Sequence, residues 1–256
     1  MDLVKQIILG FIQPLSKKGR QGFHQKHNDL HYLDTILYVL KTGIAWREIV
    51  SDTHFSTYHK KFMFWAKNKV FQNSYYAIVA LLHKSKKLCL KNLFIDTTMI
   101  KNIKGVETIG VNHYDRGRKG TKLSLIVTNK GIPLGISIDK SNIHDIHLVD
   151  PTLVDVKIKI IGSRLIADKG YISKPLVNKL KDKHDIRMIT PLKVNDKRKL
   201  TTFDRTLLGT RNIIENVFSW LKANKRIQLR YDKTILAFEQ FVYLGLIKLI
   251  GKKSLL

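Results

Sequence analysis

The sequence predicts an α/β protein: an all-helical N-terminal region, residues 1–88, followed over residues 89–256 by a mixed five-stranded sheet with flanking helices. Three observations carry this. Apolar residues in the first third recur at helical spacing, as at Leu33, Ile36, Leu37 and Leu40. From the stretch KSKKLCLKN onward the texture changes to short β-rich runs: LFIDTTMI, KLSLIVTN, PLGISIDK, SRLIADKG and IRMITPLK. Helical patterns separate and follow the later runs. Three antiparallel strands, helix, strand, helix, strand, helix is the element order of an RNase H-like domain.

The elements follow in order. MDLVKQIILGFIQPL places Leu3, Val4, Ile7, Ile8, Phe11 and Ile12 at helical spacing, an amphipathic helix and not a secretory signal. The next helix ends at Gly43. Ser51 and Asp52 are placed to cap a helix holding Tyr58, Phe62 and Trp65 with Lys60, Lys61, Lys67 and Lys69, and an apolar run covers Tyr75 to Leu82. A short turn before a basic, aromatic-rich helix suits a helix-turn-helix DNA reader; a helical cap with a charged face reads equally well. Asn129-Lys130-Gly131 marks a turn joining the second and third strands as a hairpin. Helices are expected around His147–Val156, Pro175–Lys183, Arg211–Ala223 and Leu236–Ile250, with VNDKRKLTTFDRTL as loop.

Charge narrows the function. The formal net charge is +26, shared as +9, +9 and +8 among residues 1–90, 91–195 and 196–256. Such a field attracts a polyanion, and its even spread indicates a basic folded surface and no solvated tail. With 44% hydrophobic residues the chain is not disordered. The single cysteine, Cys89, excludes a disulfide framework and a cysteine zinc site, which suits an intracellular protein. The longest apolar run, Phe238 to Ile250, is broken by Gln240 and Lys248 and falls short of the ~20 residues of a spanning helix. No membrane partner is expected.

Three carboxylates fall where chemistry could use them. Asp96 follows Leu93-Phe94-Ile95 in the first strand, Asp168 follows Leu165-Ile166-Ala167 in the fourth, and Glu215 lies in a late helix. In an RNase H-like sheet the first and fourth strands are neighbours, so the two aspartates can meet. Clustered carboxylates hold hard cations such as Mg²⁺, and paired metals serve phosphodiester cleavage. Singly, an Asp at a strand end is more often a turn residue and a helical Glu more often solvated. In the helix TRNIIENVFSWLKANKRI, Arg211, Glu215 and Lys222 share one narrow stripe, with Ile213, Val217, Trp220 and Leu221 largely opposite. That stripe reads as a metal ligand flanked by phosphate-binding cations or, equally, as an i,i+4 salt bridge. GRKGTK lacks the spacing of a P-loop, and His24, His27 and His31 lack a completing zinc ligand. Trp65 reads as core.

These motifs resemble those of the DDE transposases of bacterial insertion sequences, in the insertion-sequence-five group. FIDTTMIK is similar to the strand with the first Asp, LIADKGY to the second-Asp motif, and RNIIENVFSWLK to the helix with the third acid. The family pattern there is Tyr, Arg three later, Glu four later and Lys seven later; Arg211, Glu215 and Lys222 keep it, and Leu208 stands at the Tyr position. GVNHYDRGRKGTKLSLIVTNKGIPLGISID and SNIHDIHLV resemble the intervening strands and connection. The resemblance covers roughly residues 90–250, and more loosely GIAWREIV and STYHKKFMFWAKN.

It implies Asp96, Asp168 and Glu215 as a catalytic, metal-binding triad for Mg²⁺, with Mn²⁺ as substitute and two ions. It also implies hydrolytic cleavage at the element's ends and transfer of the 3′-OH to target DNA. Arg211 and Lys222 would position phosphate, and Arg116, Arg118, Lys119 and Lys122, with Lys60 and Lys61 of the helical region, are candidate DNA contacts. His144-Asp145 becomes a structural or supporting pair. The implied partners are double-stranded DNA (terminal inverted repeats and target) and further copies of the chain in a synaptic dimer or larger oligomer. The implied location is the bacterial cytoplasm, on the nucleoid. Two other functions share the fold: an inactive or domesticated DNA-binding derivative, and a non-transposing RNase H-like nuclease.

Overall fold

The first four helices form where apolar residues recur one turn apart. A computed structural model describes residues 3–16, 26–112, 117–193 and 199–254. Helix α1 (Leu3–Ser16) buries Val4, Ile8 and Ile12. Helix α2 (Asp29–Thr42) starts at Asn28, whose side chain accepts from the His31 N–H, and stops at Gly43, where φ is 70°. Left-handed backbone of that kind costs any residue with a Cβ. Helix α3 (Phe55–Lys67) buries Tyr58, Phe62, Trp65 and Ala66, and α4 (Val70–Lys84) buries Phe71, Tyr75, Ile78, Val79 and Leu82. The cap of α3 is His54, whose ring accepts from the Ser56 N–H, and not the expected Ser51 or Asp52. Those two are engaged elsewhere: Asp52 takes His27 at 2.7 Å and Lys26 at 3.1 Å, and Ser51 Oγ lies 2.6 Å from the Tyr58 hydroxyl.

The sheet begins with β1 (Asn92–Asn102), then β2 (Gly110–Asn112), β3 (Arg118–Thr128) and β4 (Pro133–Lys140). Helix α5 (Val149–Asp155), β5 (Arg164–Ile166), α6 (Lys174–His184), β6 (Arg187–Ile189) and α7 (Thr202–Gly209) follow. The hairpin β3–β4 is antiparallel, β3 lies beside β1, and β1, β5 and β6 run parallel. The order β4-β3-β1-β5-β6 is the expected RNase H-like sheet. Its central strands are apolar without alternation because both faces are covered: Leu93, Phe94, Ile95, Leu165 and Ile166 are all buried.

Among the described residues seven strands stand where five were expected, because β2 has three residues and β7 (Leu229–Arg230) two, too few to show a period. Helix α7 lies in a stretch read as loop. A capping box forms it: Thr201 Oγ accepts from the Asp204 N–H at 3.0 Å, and Asp204 accepts from the Thr201 N–H. Asp204 is fully buried and takes Arg187 at 2.6 Å.

Helix α8 (Asn212–Lys222), α9 (Lys225–Gln228) and α10 (Ile235–Ser254) complete the chain. The buried face of α8 is Ile214, Val217, Phe218 and Leu221; Trp220, expected inside, is 52% exposed. Contacts gather the chain into two units, one of Met1–Leu81, Lys101–Glu107 and Trp220–Leu256, the other of Leu82–Ile100 and Thr108–Ser219. In the first, α10 packs on α1, α2, α3 and α9. It is apolar nearly all round, as a helix enclosed by others must be, and Phe241 stacks on Phe62 at 4.3 Å. Among the described residues no helix is long and apolar enough to cross a membrane.

Candidate active site

The second unit assembles the site from strand ends. Parallel pairing sets Phe94 against Ile166. Asp96 and Asp168 each come two residues after that pair, near enough for the charge of Asp168 to act on Asp96. Asp96 remains within β1, while Asp168 has left β5 and caps a 3₁₀ turn over Lys169–Tyr171, its Oδ1 accepting from the Gly170 N–H at 2.7 Å. A Cβ on Gly170 would come 3.0 Å from that same oxygen. The glycine of LIADKGY thus lets the backbone approach the carboxylate closely.

Asp96 sits in an unfavourable place for a negative charge. Burial pushes its pKa up to about 6; the Thr97 N–H at 2.8 Å and Arg211 oppose the shift, while Asp168 and Asp145 add to it. The Arg211 guanidinium reaches Asp96 Oδ2 at 3.4 Å, long for a charge-assisted pair, and its Nε is buried with no hydrogen-bond partner. Tyr171 is buried against the same charges: desolvation, then Asp145, Asp96 and Asp168, raises its hydroxyl above the ordinary range.

Asp145, expected to be structural or supporting, stands beside this acidic pair. Thr97 Oγ1 donates to it at 2.9 Å and Lys122 Nζ at 2.7 Å, and Lys122 also donates to the Ile143 carbonyl at 2.6 Å. Its signal was SNIHDIHLV, a polar turn between the third strand and the next helix. Lys122, read as a phosphate contact, thus has its ammonium engaged inside the site, with 16% of its side chain exposed.

Glu215 lies on the exposed side of α8, one turn after Arg211, and among the described residues no three His, Cys, Asp or Glu form a metal-holding group. The donor chemistry of Asp96 and Asp168 nonetheless fits a hard divalent cation: two carboxylates that sense one another's charge, one destabilised as an anion by its burial. Lys222 closes α8, its ammonium half-buried and its pKa lowered by desolvation.

Of the remaining candidates, Arg118 and Lys119 are exposed at the start of β3, and Lys60 is exposed on α3. Arg116 and His24 lie outside the described residues. Lys61 bonds Asp29 at 3.2 Å and lies over the rings of Tyr32 and Trp65, so its charge is engaged within the helices. His27 and His31 stack on each other at 4.0 Å, His27 bonding Asp52 and His31 bonding Tyr58. Trp65 is fully buried.

Known proteins share this pattern. A family model described as a transposase DDE domain matches residues 86–233, and a model for transposases of the IS4/5 family matches residues 6–74. The chain is 29% identical over 145 residues to a protein of Burkholderia cepacia named as a transposase for insertion sequence element IS402, a match covering 53% of this chain and 65% of that one. It therefore spans just under two thirds of that relative. It is 33% identical over 126 residues to the corresponding protein for element IS6501 of Brucella ovis, covering 49% and 93%. In fold it is similar to the piggyBac transposase of a synaptic complex with hairpin DNA, with a TM-score of 0.52, 9% identity, and 98% of this chain and 72% of that one covered.

Proposed function

The chain belongs to the family of transposase DDE domains, and on that premise we propose that it binds the ends of a mobile element, cleaves them hydrolytically and joins the freed 3′-OH to target DNA. The observation that supports this reading is that Asp96 and Asp168 each follow by two residues the paired Phe94 and Ile166 and sense one another's charge, with Arg211 against Asp96. Asp96 and Asp168 would hold divalent cations, Mg²⁺ with Mn²⁺ as substitute and two ions in all. Glu215 would complete the set, one turn beyond an arginine that already touches Asp96. Cations bound there would neutralise charge on the attacking and leaving oxygens.

The chain's own residues do the rest. Arg211 and Lys222 present cations to a phosphodiester, and Arg211 would exchange its long contact with Asp96 for a phosphate oxygen. Asp145, held by Lys122 and Thr97, fixes the stretch of β1 next to Asp96. Residues 1–88 would read the terminal repeats, with Lys60 on their exposed surface, while residues 89–256 carry the chemistry. Arg118 and Lys119 at the start of β3 would meet the DNA backbone, which positions the duplex without reading its sequence. Two bound ends imply at least two copies of the chain in the working complex.

A second reading rests on Leu208 at the family's tyrosine position and on the lack, among the described residues, of a three-member metal-holding group: a derivative that binds DNA without cutting it. One experiment separates them. A labelled duplex carrying the repeats that flank the coding sequence is incubated with the protein and Mg²⁺, beside Asp96→Asn, Asp168→Asn and Glu215→Gln. Nicking by the wild type, lost on the order of a hundredfold or more in each variant with binding retained, supports the transposase. Binding without nicking in the wild type supports the derivative.

A further inference from the structure

The first unit holds a cleft of about 370 Å³ that the catalytic reading does not use. It is lined by Trp220 at the end of α8, by Lys248, Lys252 and Lys253 of α10, and by Lys41 of α2. No Asp or Glu lines it. Four ammonium groups around one small volume repel one another, and the effect is visible on Lys248. Burial lowers its pKa first, and Lys252 and Lys41 lower it further. Its one hydrogen bond shown is to the neutral Asn224 carbonyl, at 2.9 Å. The cleft therefore favours an anion.

The aromatic component is equally specific. Trp220 is 52% exposed on a helix whose neighbouring apolar residues, Phe218 and Leu221, are buried. The Lys253 ammonium stands 4.3 Å from the centre of its ring. Half of the ring is open to solvent, and a cation–π contact of this kind is weaker than base stacking, so its exposed part is a platform for a planar group. A planar ring joined to a phosphate is a nucleotide, and a cleft of this size admits one such unit.

We infer that the cleft lined by Trp220, Lys41, Lys248 and Lys252 binds one unstacked nucleotide of a DNA strand, its base on the indole and its phosphates among the lysines. Duplex bases are stacked and closed to such a platform, so the ligand is a single-stranded stretch. The inference rests on the DNA-binding reading for the source of that strand but uses none of the acidic residues.

The probes are a short single-stranded oligothymidylate, a blunt duplex of equal length and thymidine monophosphate, read by tryptophan fluorescence and by competition. Trp65 is fully buried and Trp46 half-buried, so Trp220 dominates contact quenching. The oligonucleotide is expected to quench, and Trp220→Ala to weaken its binding at least tenfold, ~1.4 kcal/mol. Trp220→Phe should keep most of the affinity, and duplex binding should change less than twofold in both. Lys41→Gln with Lys252→Gln should weaken the oligonucleotide and flatten its salt dependence by about one unit of log–log slope. Oligonucleotide affinity unchanged by Trp220→Ala overturns the inference, as does monophosphate binding as tight as the strand's. Failure to bind duplex as well as strand would instead defeat the DNA-binding reading itself.

Discussion

Asp96 and Arg211 are 115 residues apart in the chain and 3.4 Å apart in space. The contact is too long to neutralise a carboxylate that burial has already pushed to about 6. The site is thus short of positive charge in its resting form, and four predictions turn on where the remaining charges go.

The first concerns pH. A carboxyl whose folded pKa lies above its unfolded value binds its proton more tightly in the folded state, so stability is greatest below the unfolded pKa and falls as pH rises through the folded one. For Asp96 the window runs from about 4 to about 6. In metal-free buffer the wild type should lose up to ~3 kcal/mol across it relative to Asp96→Asn. Urea melts of both proteins at several pH values check this. Parallel curves would show that Asp96 ionises without penalty.

Cation binding should reverse that penalty. Mg²⁺ or Mn²⁺ added at neutral pH should raise the melting temperature of the wild type and leave Asp96→Asn nearly unmoved, since only the ionised carboxylate gains from the cation. Calorimetry with each ion, on the protein without DNA, reads this directly.

Lys122 and Lys119 should part company. Lys122 donates to Asp145 from a mostly buried position, so Lys122→Met should cost ~1–3 kcal/mol of stability by leaving a carboxylate without its cation. Lys119 is exposed, and Lys119→Met should change stability by less than ~0.5 kcal/mol. Denaturant titration of the two variants decides.

DNA affinity should invert that ranking. Binding to duplex should fall with salt at a log–log slope steeper than about −4, given the charge of +26. Lys60→Ala, Arg118→Ala and Lys119→Ala should each flatten the slope by about 0.9, whereas Lys61→Ala should not, because Asp29 already engages Lys61. Equal effects for Lys60 and Lys61 would reject the distinction.

The sequence made the sheet legible because its central strands are covered on both faces: Leu93-Phe94-Ile95 and Leu165-Ile166-Ala167 are unbroken apolar runs, each leading to its aspartate. What it hid was short or polar. Strands β2 and β7 span too few residues for any period. Helix α7 is polar along most of its length and betrayed only by Thr201 three residues before Asp204. On α8 a turn of the expected face put Trp220 inside when it lies outside. Charge partners were invisible for a different reason. Lys61 and Lys122 look like any surface lysine until the fold brings Asp29 and Asp145, 32 and 23 residues away, against them. Asp145 reads as structural or supporting in the sequence, but its partners, Thr97 and Lys122 from other strands, do not.

The first unit joins segments far apart in the chain, and this sets a timetable for its birth. Helices α1–α3 close their core against α10, which follows the end of α4 by about 150 residues of chain. At ordinary rates of synthesis that interval is roughly 10–30 s. Until it has passed, rings such as Phe62 lack the stacking partner Phe241 supplies. A chain cut short before α10 leaves those rings uncovered for chaperones and proteases, so interrupted synthesis should yield cleared fragments and not a partly working protein.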